Sequence, residues 1–392
     1  MRDNRSMSAK IKHGFWSDLP KPFFILAPMA NVTDFAFREM IAKYGKPDVM
    51  FTEFVSANGL VSAGRNKLLI DLKFSNKQRP IVAQLFTGHP EAMKEASILV
   101  KELGFDGLDI NMGCPDRAVE RQGGGAAMIK DRENSLKVLE AAREGAYPLP
   151  VSIKTRIGYN KNEIQEWLGF LLEQKLPALT IHLRTRKEMS DVPAHWDLMP
   201  DIVQLRNEIS PETLIIGNGN IESLNEAGDR ISQYGCDGVM IGRGIFGKPW
   251  LFSSLHYPRH VGIPKFSSHS AKTKIQDLKS VSLAAKNDIR FAKRISVPQY
   301  SSHSAKAAIA PLVRSVGRIL GDAINIEDRL KIMLEHTKLF EEIFKGIKNF
   351  AVMKKHFKAY VSGWEGAKEL RLKLMEAVSA SQVDRIIKKY CG

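Results

Sequence analysis

Short runs of apolar, largely β-branched residues alternate along the first two thirds of the chain with longer segments whose apolar positions recur every three to four residues. The short runs predict strands over Phe23–Ala27, Val49–Glu53, Ile81–Leu85, Gly107–Asn111, Val151–Thr155, Leu179–His182, Leu214–Gly217 and Gly238–Ile241. The longer segments predict amphipathic helices, among them Glu91–Leu103, Ser135–Glu144, Glu163–Gln174 and Ser223–Tyr234. Strand–helix alternation repeated eight times over about 240 residues is what a TIM (β/α)8 barrel demands. The competing architecture, a doubly wound open sheet, needs a Gly-rich turn after its first strand, where this chain has Ala27-Pro28-Met29-Ala30. From Ile326 the pattern becomes wholly helical, with segments Ile326–Phe344, Phe350–Val361 and Lys368–Val378. The fold class is therefore α/β, a barrel followed by a C-terminal helical domain. The expected boundaries are an N-terminal extension (1–20), the barrel (21–253), a basic insertion (254–325) and the helices (326–392).

In a TIM barrel the active site gathers at the C-terminal ends of the strands. Here those ends carry Pro28-Met29, Glu53, Gln84, Asn111 with Cys114, Lys154, His182 with Arg184, Asn218-Gly219-Asn220 and Gly242-Arg243. Polar groups at nearly all eight ends describe a lined pocket. The most specific stretch is Leu108–Pro115, with Gly125-Ala126 ten residues on. Pro115 ends the strand, and Gly113 permits a turn that a side chain would block. The thiol of Cys114 is left at a strand end, where a substrate can reach it.

The loops after strands seven and eight, Gly217-Asn218-Gly219-Asn220 and Gly242-Arg243-Gly244, stand where many barrels hold a phosphate. Arg243 would add a charge-assisted bond. Lys154 inside an apolar strand is costly unless it meets an anion or an electron-rich ring; it reads either as a lysine snorkelling to the mouth or as a contact to a flavin edge. Gln84 fits the same ring through its amide. Together with the phosphate loops these residues suggest FMN rather than a bare sugar phosphate.

Composition adds a partner. The 392 residues carry a formal charge of +15, which points to a polyanion. Lys345, Lys348, Lys354, Lys355, Lys358, Arg371 and Lys373 crowd the helical segment, either as a solvated face or as a nucleic-acid contact. The insertion repeats itself, Phe266–Lys272 returning as Tyr300–Lys306, and holds twelve Lys/Arg against three Asp. It reads as a tolerated loop expansion or as an extra nucleic-acid-binding arm. Its histidines His269 and His303 lack the Cys or carboxylate neighbours of a metal site, so no metal is expected. Three cysteines cannot form a disulfide framework, and no apolar run reaches a membrane span. The expectation is a cytoplasmic protein away from membranes, with no stable protein partner implied. Cys236 reads as a packing residue and Cys391 as an exposed thiol. His195 and Trp196 read as stacking contacts to RNA or as plain rim residues.

These motifs resemble the tRNA-dihydrouridine synthases, in particular their bacterial branch, over about 23–253 and again over about 326–375. The resemblance rests on Ala27-Pro28-Met29 with Asp34, Gln84-Leu85, Asn111-Met112-Gly113-Cys114-Pro115, Lys154-Thr155-Arg156-Ile157-Gly158, Ile181-His182 with Arg184-Thr185, Gly217-Asn218-Gly219 and Met240–Gly244. It implies a flavoenzyme that reduces particular uridines of tRNA, with FMN as cofactor and NADPH as reductant. Pro28, Met29 and Ala30 would line one flavin face, with Gln84 and Lys154 at the ring edges. Asn218, Gly219, Asn220, Gly242 and Arg243 would form the phosphate end. His182 and Arg184 would lie near flavin and uridine, and Asn111 near the base. Cys114 would protonate C5 of uracil while the reduced flavin N5 delivers hydride to C6. Lys354, Lys355, Lys358 and Arg371 would grip tRNA. Two positions depart from the family: Asn220 stands where an acid is common, and Leu183 where Gly is common, which would narrow the barrel mouth. The residues also leave open an FMN barrel acting on a free pyrimidine, like dihydroorotate dehydrogenase, and a non-catalytic RNA-binding protein on the same fold.

Overall fold

Eight parallel strands close in chain order, with the last pairing back to the first. They are β1 (Phe23–Leu26), β2 (Val49–Ser56), β3 (Ile81–Phe86), β4 (Gly107–Met112), β5 (Val151–Arg156), β6 (Ala178–His182), β7 (Leu214–Asn218) and β8 (Gly238–Ile241). A computed structural model describes residues 13–253 and 324–391, and these form one compact unit. The expected TIM barrel is present, and every expected strand lies in it. β2 departs most, running on to Ser56. Such strands are buried on both faces, and for that reason they read as nearly unbroken apolar runs.

Residues of one strand parity fill the barrel. Phe23, Ile25, Val49, Phe51, Val82, Ala178, Leu214, Ile216 and Met240 form its lower layers. Trp16, from a 3-10 turn over Gly14–Asp18 ahead of β1, joins that core and packs against Phe23 at 6.3 Å. Above them the same parity turns polar: Gln84, Asp109 and Asn111 on β3 and β4, Lys154 on β5, His182 on β6. The barrel is apolar at its floor and charged at its mouth.

Amphipathic helices surround it, including Pro90–Glu102, Arg132–Ala146 and Leu224–Tyr234. The helix expected over Glu163–Gln174 is instead a π-helical turn, Ile164–Leu168, running into a short α-helix, Gly169–Glu173. The C-terminal segment folds as Ile326–Phe344, Met353–Tyr360, Ala367–Glu376 and a further helix, Ala380–Cys391, which is not among the expected segments. It packs on the barrel through the Phe35–Tyr44 helix: Glu335 accepts from Lys43 Nζ and Tyr44 Oη, each at 2.5 Å, and His336 stacks on Phe37 at 5.0 Å. The insertion, with its repeat and both histidines, lies outside the described residues except for Ile324 and Asn325. Among the described residues no helix is long and apolar enough to cross a membrane, and no group of three His, Cys, Asp or Glu could hold a metal ion.

Candidate active site

The turn that carries Cys114 is held from three sides. Asn111, the last polar residue of β4, points its Oδ1 at the turn and accepts from the N–H groups of Gly113 (3.1 Å) and Cys114 (2.9 Å). Arg156, at the end of β5, donates through Nε to the Gly113 carbonyl at 2.7 Å. The Cys114 carbonyl accepts from Ala126 N at 2.9 Å. Gly125 makes this last contact possible: its φ is +60°, and a Cβ there would lie 2.5 Å from the Cys114 oxygen. The downstream Gly125-Ala126 pair is thus the far clamp of the cysteine turn. The thiol is half-buried, and desolvation raises its pKa above the usual thiol value. Cys114 is protonated at neutral pH.

Behind the turn lies a chain of buried hydrogen bonds. Asn111 Nδ2 donates to Gln84 Oε1 (3.1 Å), and Gln84 Nε2 donates to Asp109 Oδ2 (2.7 Å). Ser152 Oγ donates to Asp109 Oδ1 at 2.6 Å. Gln84 and Asp109 are fully buried.

On the other side of the mouth the charge is positive. His182 is kept neutral first by burial and then by Arg156, Lys154, Arg184 and Arg243, all of which push its pKa well down. Arg184 Nη1 lies 2.9 Å from His182 Nε2. An arginine can only donate, so Nε2 accepts and the imidazole proton is on Nδ1. Desolvation, followed by Arg156, lowers Lys154 to about 8. The four charges that act most strongly on His182 are all cationic, so this rim suits an anionic or electron-rich group. Asn218 Nδ2 donates to the Met240 carbonyl at 2.8 Å, tying the β7 loop to β8. Gly219 has a φ of +132°, and a Cβ there would be 2.7 Å from Ala194. At Gly242 a Cβ would meet Met29 Sδ at 3.6 Å, so Met29 of the β1 loop adjoins the β8 loop. Pro28 is buried, Ala30 and Arg243 are exposed.

The structure thus gathers Gln84, Asn111 and Cys114 into one network, and His182, Arg184 and Asn220 into another. Arg184 is buried, with its donors directed to Val192 O, His182 and Asn220 Oδ1. Asn220 also accepts from Ala194 N at 3.1 Å. As a neutral residue where the family commonly has an acid, it leaves the Arg184 charge uncompensated at that contact. Leu183 does not stand at the mouth: it is fully buried, its N–H donating to Asn218 O and its carbonyl accepting from His195 N. Trp196 is also buried, donating through Nε1 to Gly219 O at 2.8 Å and stacking on Tyr234, and is not available to stack on RNA. His195 pairs with Glu188 at 2.9 Å. Cys236 is buried and Cys391 exposed.

Among the lysines of the helical segment, Lys348 is not on a solvated face. It reaches the mouth, 2.9 Å from Glu53 Oε2 and 2.6 Å from Asp71 Oδ1. Glu53 Oε1 accepts from Asn31 N at 2.5 Å, pinning the β1 loop, and a bulge in β2 between Phe51 and Phe54 turns the carboxylate that way. Burial raises Glu53 to about 7 against the pull of Lys348. Sequence reasoning missed this cluster, because a lysine in a basic run gives no sign of a partner about 300 residues away. Lys354 and Lys355 are half-buried on the Met353–Tyr360 helix, and Lys358 is exposed there. Arg371 donates to Val361 O at 2.8 Å.

A model of the dihydrouridine synthase (Dus) family matches residues 25–302 of this chain. The "Probable tRNA-dihydrouridine synthase" of Staphylococcus epidermidis is 35% identical over 380 residues, covering 96% of each chain. The "Probable tRNA-dihydrouridine synthase 2" of Bacillus subtilis is 46% identical over 240 residues, 61% of this chain and 73% of its own. A solved structure of morphinone reductase in complex with tetrahydroNAD superposes with a TM-score of 0.42 at 15% identity, over 60% of this chain and 87% of its own; that likeness is too distant to bear on cofactor or substrate.

Proposed function

Given that the chain belongs to the dihydrouridine synthase family, we propose that it reduces the C5=C6 bond of particular uridines in tRNA to 5,6-dihydrouridine. The barrel over 21–253 would be the FMN-binding catalytic domain, and the helices over 326–392 would bind tRNA, with the insertion 254–325 between them. The observation that carries the reading is Cys114: a protonated, half-buried thiol fixed at the end of β4, across from a cationic rim.

The rim residues fit a flavin phosphate and ring. The mouth offers Arg243 and the backbone of the Gly219 and Gly242 loops to a phosphate, with Lys154 for a ring edge; Gln84, expected at the ring as well, is fully buried with its amide engaged by Asp109 and Asn111. FMN held there would, once reduced by NADPH, supply hydride chemistry toward C6 of the uracil. Cys114 gives its Sγ proton to C5, relieving the enolate-like charge that hydride addition leaves there. The raised thiol pKa suits a proton donor rather than a thiolate nucleophile. Because the thiol is only half-buried, water can return the proton afterwards. His182, held neutral with its proton on Nδ1, is a hydrogen-bond donor at the same mouth. The target base must leave its stack to reach these groups.

The test is to incubate the protein with FMN, NADPH and unmodified tRNA and to quantify dihydrouridine by nucleoside mass spectrometry. Dihydrouridine in tRNA, not competed by free uridine or orotate, is the expected result. NADPH oxidation driven by a free pyrimidine, with no product in tRNA, would replace this reading by a small-molecule reductase.

A further inference from the structure

We propose that Asp109 is a positioning residue for Cys114, acting through Gln84 and Asn111; the inference rests on Cys114 being the proton donor. An amide side chain carries no direction of its own. Rotated by half a turn, Asn111 would aim its NH2 group at the N–H groups of Gly113 and Cys114, and both hydrogen bonds that hold the turn would be lost. Gln84 cannot decide the matter alone, since it too can rotate. A carboxylate can, because it only accepts.

Asp109 Oδ2 accepts at 2.7 Å from Gln84, which sets Gln84 Nε2 toward β4 and Oε1 toward Asn111. Asn111 must then donate to Gln84 and accept from the turn. Ser152 fixes the other carboxylate oxygen. From the neighbouring strands Asp109 faces Gln84 on β3 and Ser152 on β5, with Lys154 of β5 as the nearby charge. Burial raises its pKa to about 6 against these three, so it is ionised at neutral pH. A fully buried carboxylate is costly to keep, and a barrel interior would otherwise favour an apolar residue. Its two donors reduce that cost, and the relay gives it a task.

Two variants separate direction from charge. Asp109→Ala removes the acceptor, and any water that replaces it both donates and accepts. Asp109→Asn can still accept from Gln84 while donating to Ser152 Oγ; its opposite rotamer would reverse both relay amides and set Asn111 Nδ2 against the N–H groups of Gly113 and Cys114, so the relay keeps its sense. Two rates are measured on the full chain: alkylation of Cys114 by iodoacetamide, read by peptide mass spectrometry with and without FMN, and single-turnover dihydrouridine formation in tRNA. Asp109→Ala is expected to change the alkylation rate about fivefold or more. It should slow single turnover about ten- to hundredfold, with tRNA affinity kept within about twofold. Asp109→Asn should stay within about threefold of wild type in both. Wild-type alkylation in Asp109→Ala overturns the proposal, and so does a loss in Asp109→Asn as large as in Asp109→Ala. If Asp109→Ala does not fold, Asp109→Asn decides alone: wild-type rates support the relay, and a tenfold or larger loss sinks it. Altered alkylation in Asp109→Ala beside full activity in Cys114→Ala would keep the relay and remove Cys114 as the acid.

Discussion

At the barrel mouth Ser152, Asp109, Gln84 and Asn111 are buried and joined by hydrogen bonds of 2.6 to 3.1 Å. In the helical segment His336, His356 and Tyr360 are just as buried, yet among the described residues the four ring nitrogens and the phenol have no hydrogen-bond partner. The imidazoles there act as flat rings, 4.7 Å apart and packed on Phe37. A satisfied network fixes each atom's direction, as the role proposed for Cys114 requires. An unsatisfied one adds desolvation cost and holds its neighbours by shape alone. The contrast matches the two places: the mouth network fixes one geometry at the cysteine turn, whereas the histidine cluster packs the helical segment on Phe37 of the barrel.

Of the charged links that dock the helical segment, the more buried one, at Lys348, resembles the mouth more than the histidine cluster, and breaking it gives the largest expected change. Lys348→Met leaves the buried Glu53 and the half-buried Asp71 without the Lys348 charge. The expected loss is about 3 kcal/mol of stability in urea unfolding, with Lys348→Arg recovering part of it. Within the relay, Asn111→Ala strips the acceptor from two N–H groups of the cysteine turn. It should cost about 1–3 kcal/mol and slow single turnover about a hundredfold.

The histidines sharpen the comparison through pH. Burial lowers His356 to about 3, and it lowers His336 as well. The unfolded chain, with histidines near 6.5, therefore binds more protons than the folded one below that pH, and stability falls as pH falls from 6.5 toward 3. Glu53 and Asp109, raised to about 7 and about 6, act in the opposite sense, so wild type alone does not expose the effect. The stability difference between His356→Phe and wild type does. It should grow in favour of the variant by about 1.4 kcal/mol per pH unit below 6.5, and a flat difference would show that His356 has a partner when folded. The smallest effect belongs to the exposed Lys358. Lys358→Ala should weaken tRNA binding modestly and reduce the slope of log K against log salt by about 1.

Periodicity located what depends on local burial. Strands lying between barrel core and helices read as apolar runs, so β1 to β8 and their C-terminal ends were legible, and with them the positions of Gln84, Asn111, Cys114, Lys154 and His182. Partnerships set by the fold were not. In the sequence Lys348 is one lysine of a basic run, Trp196 a stacking contact or a rim residue, and Asp109 only a polar position within the β4 run. Trp16 precedes the barrel in sequence yet closes its core. The Ala380–Cys391 helix, absent from the expected segments, repeats Val383, Ile386, Ile387 and Tyr390 at helical spacing, so the same periodicity carries it.

The most direct test of the account is single-turnover reduction of unmodified tRNA by Cys114→Ala and wild type, both loaded with FMN and reduced beforehand. The account predicts dihydrouridine formation slowed about 10²- to 10⁴-fold in the variant, with the rate of flavin reduction by NADPH unchanged. Equal rates of dihydrouridine formation in the two proteins would contradict it.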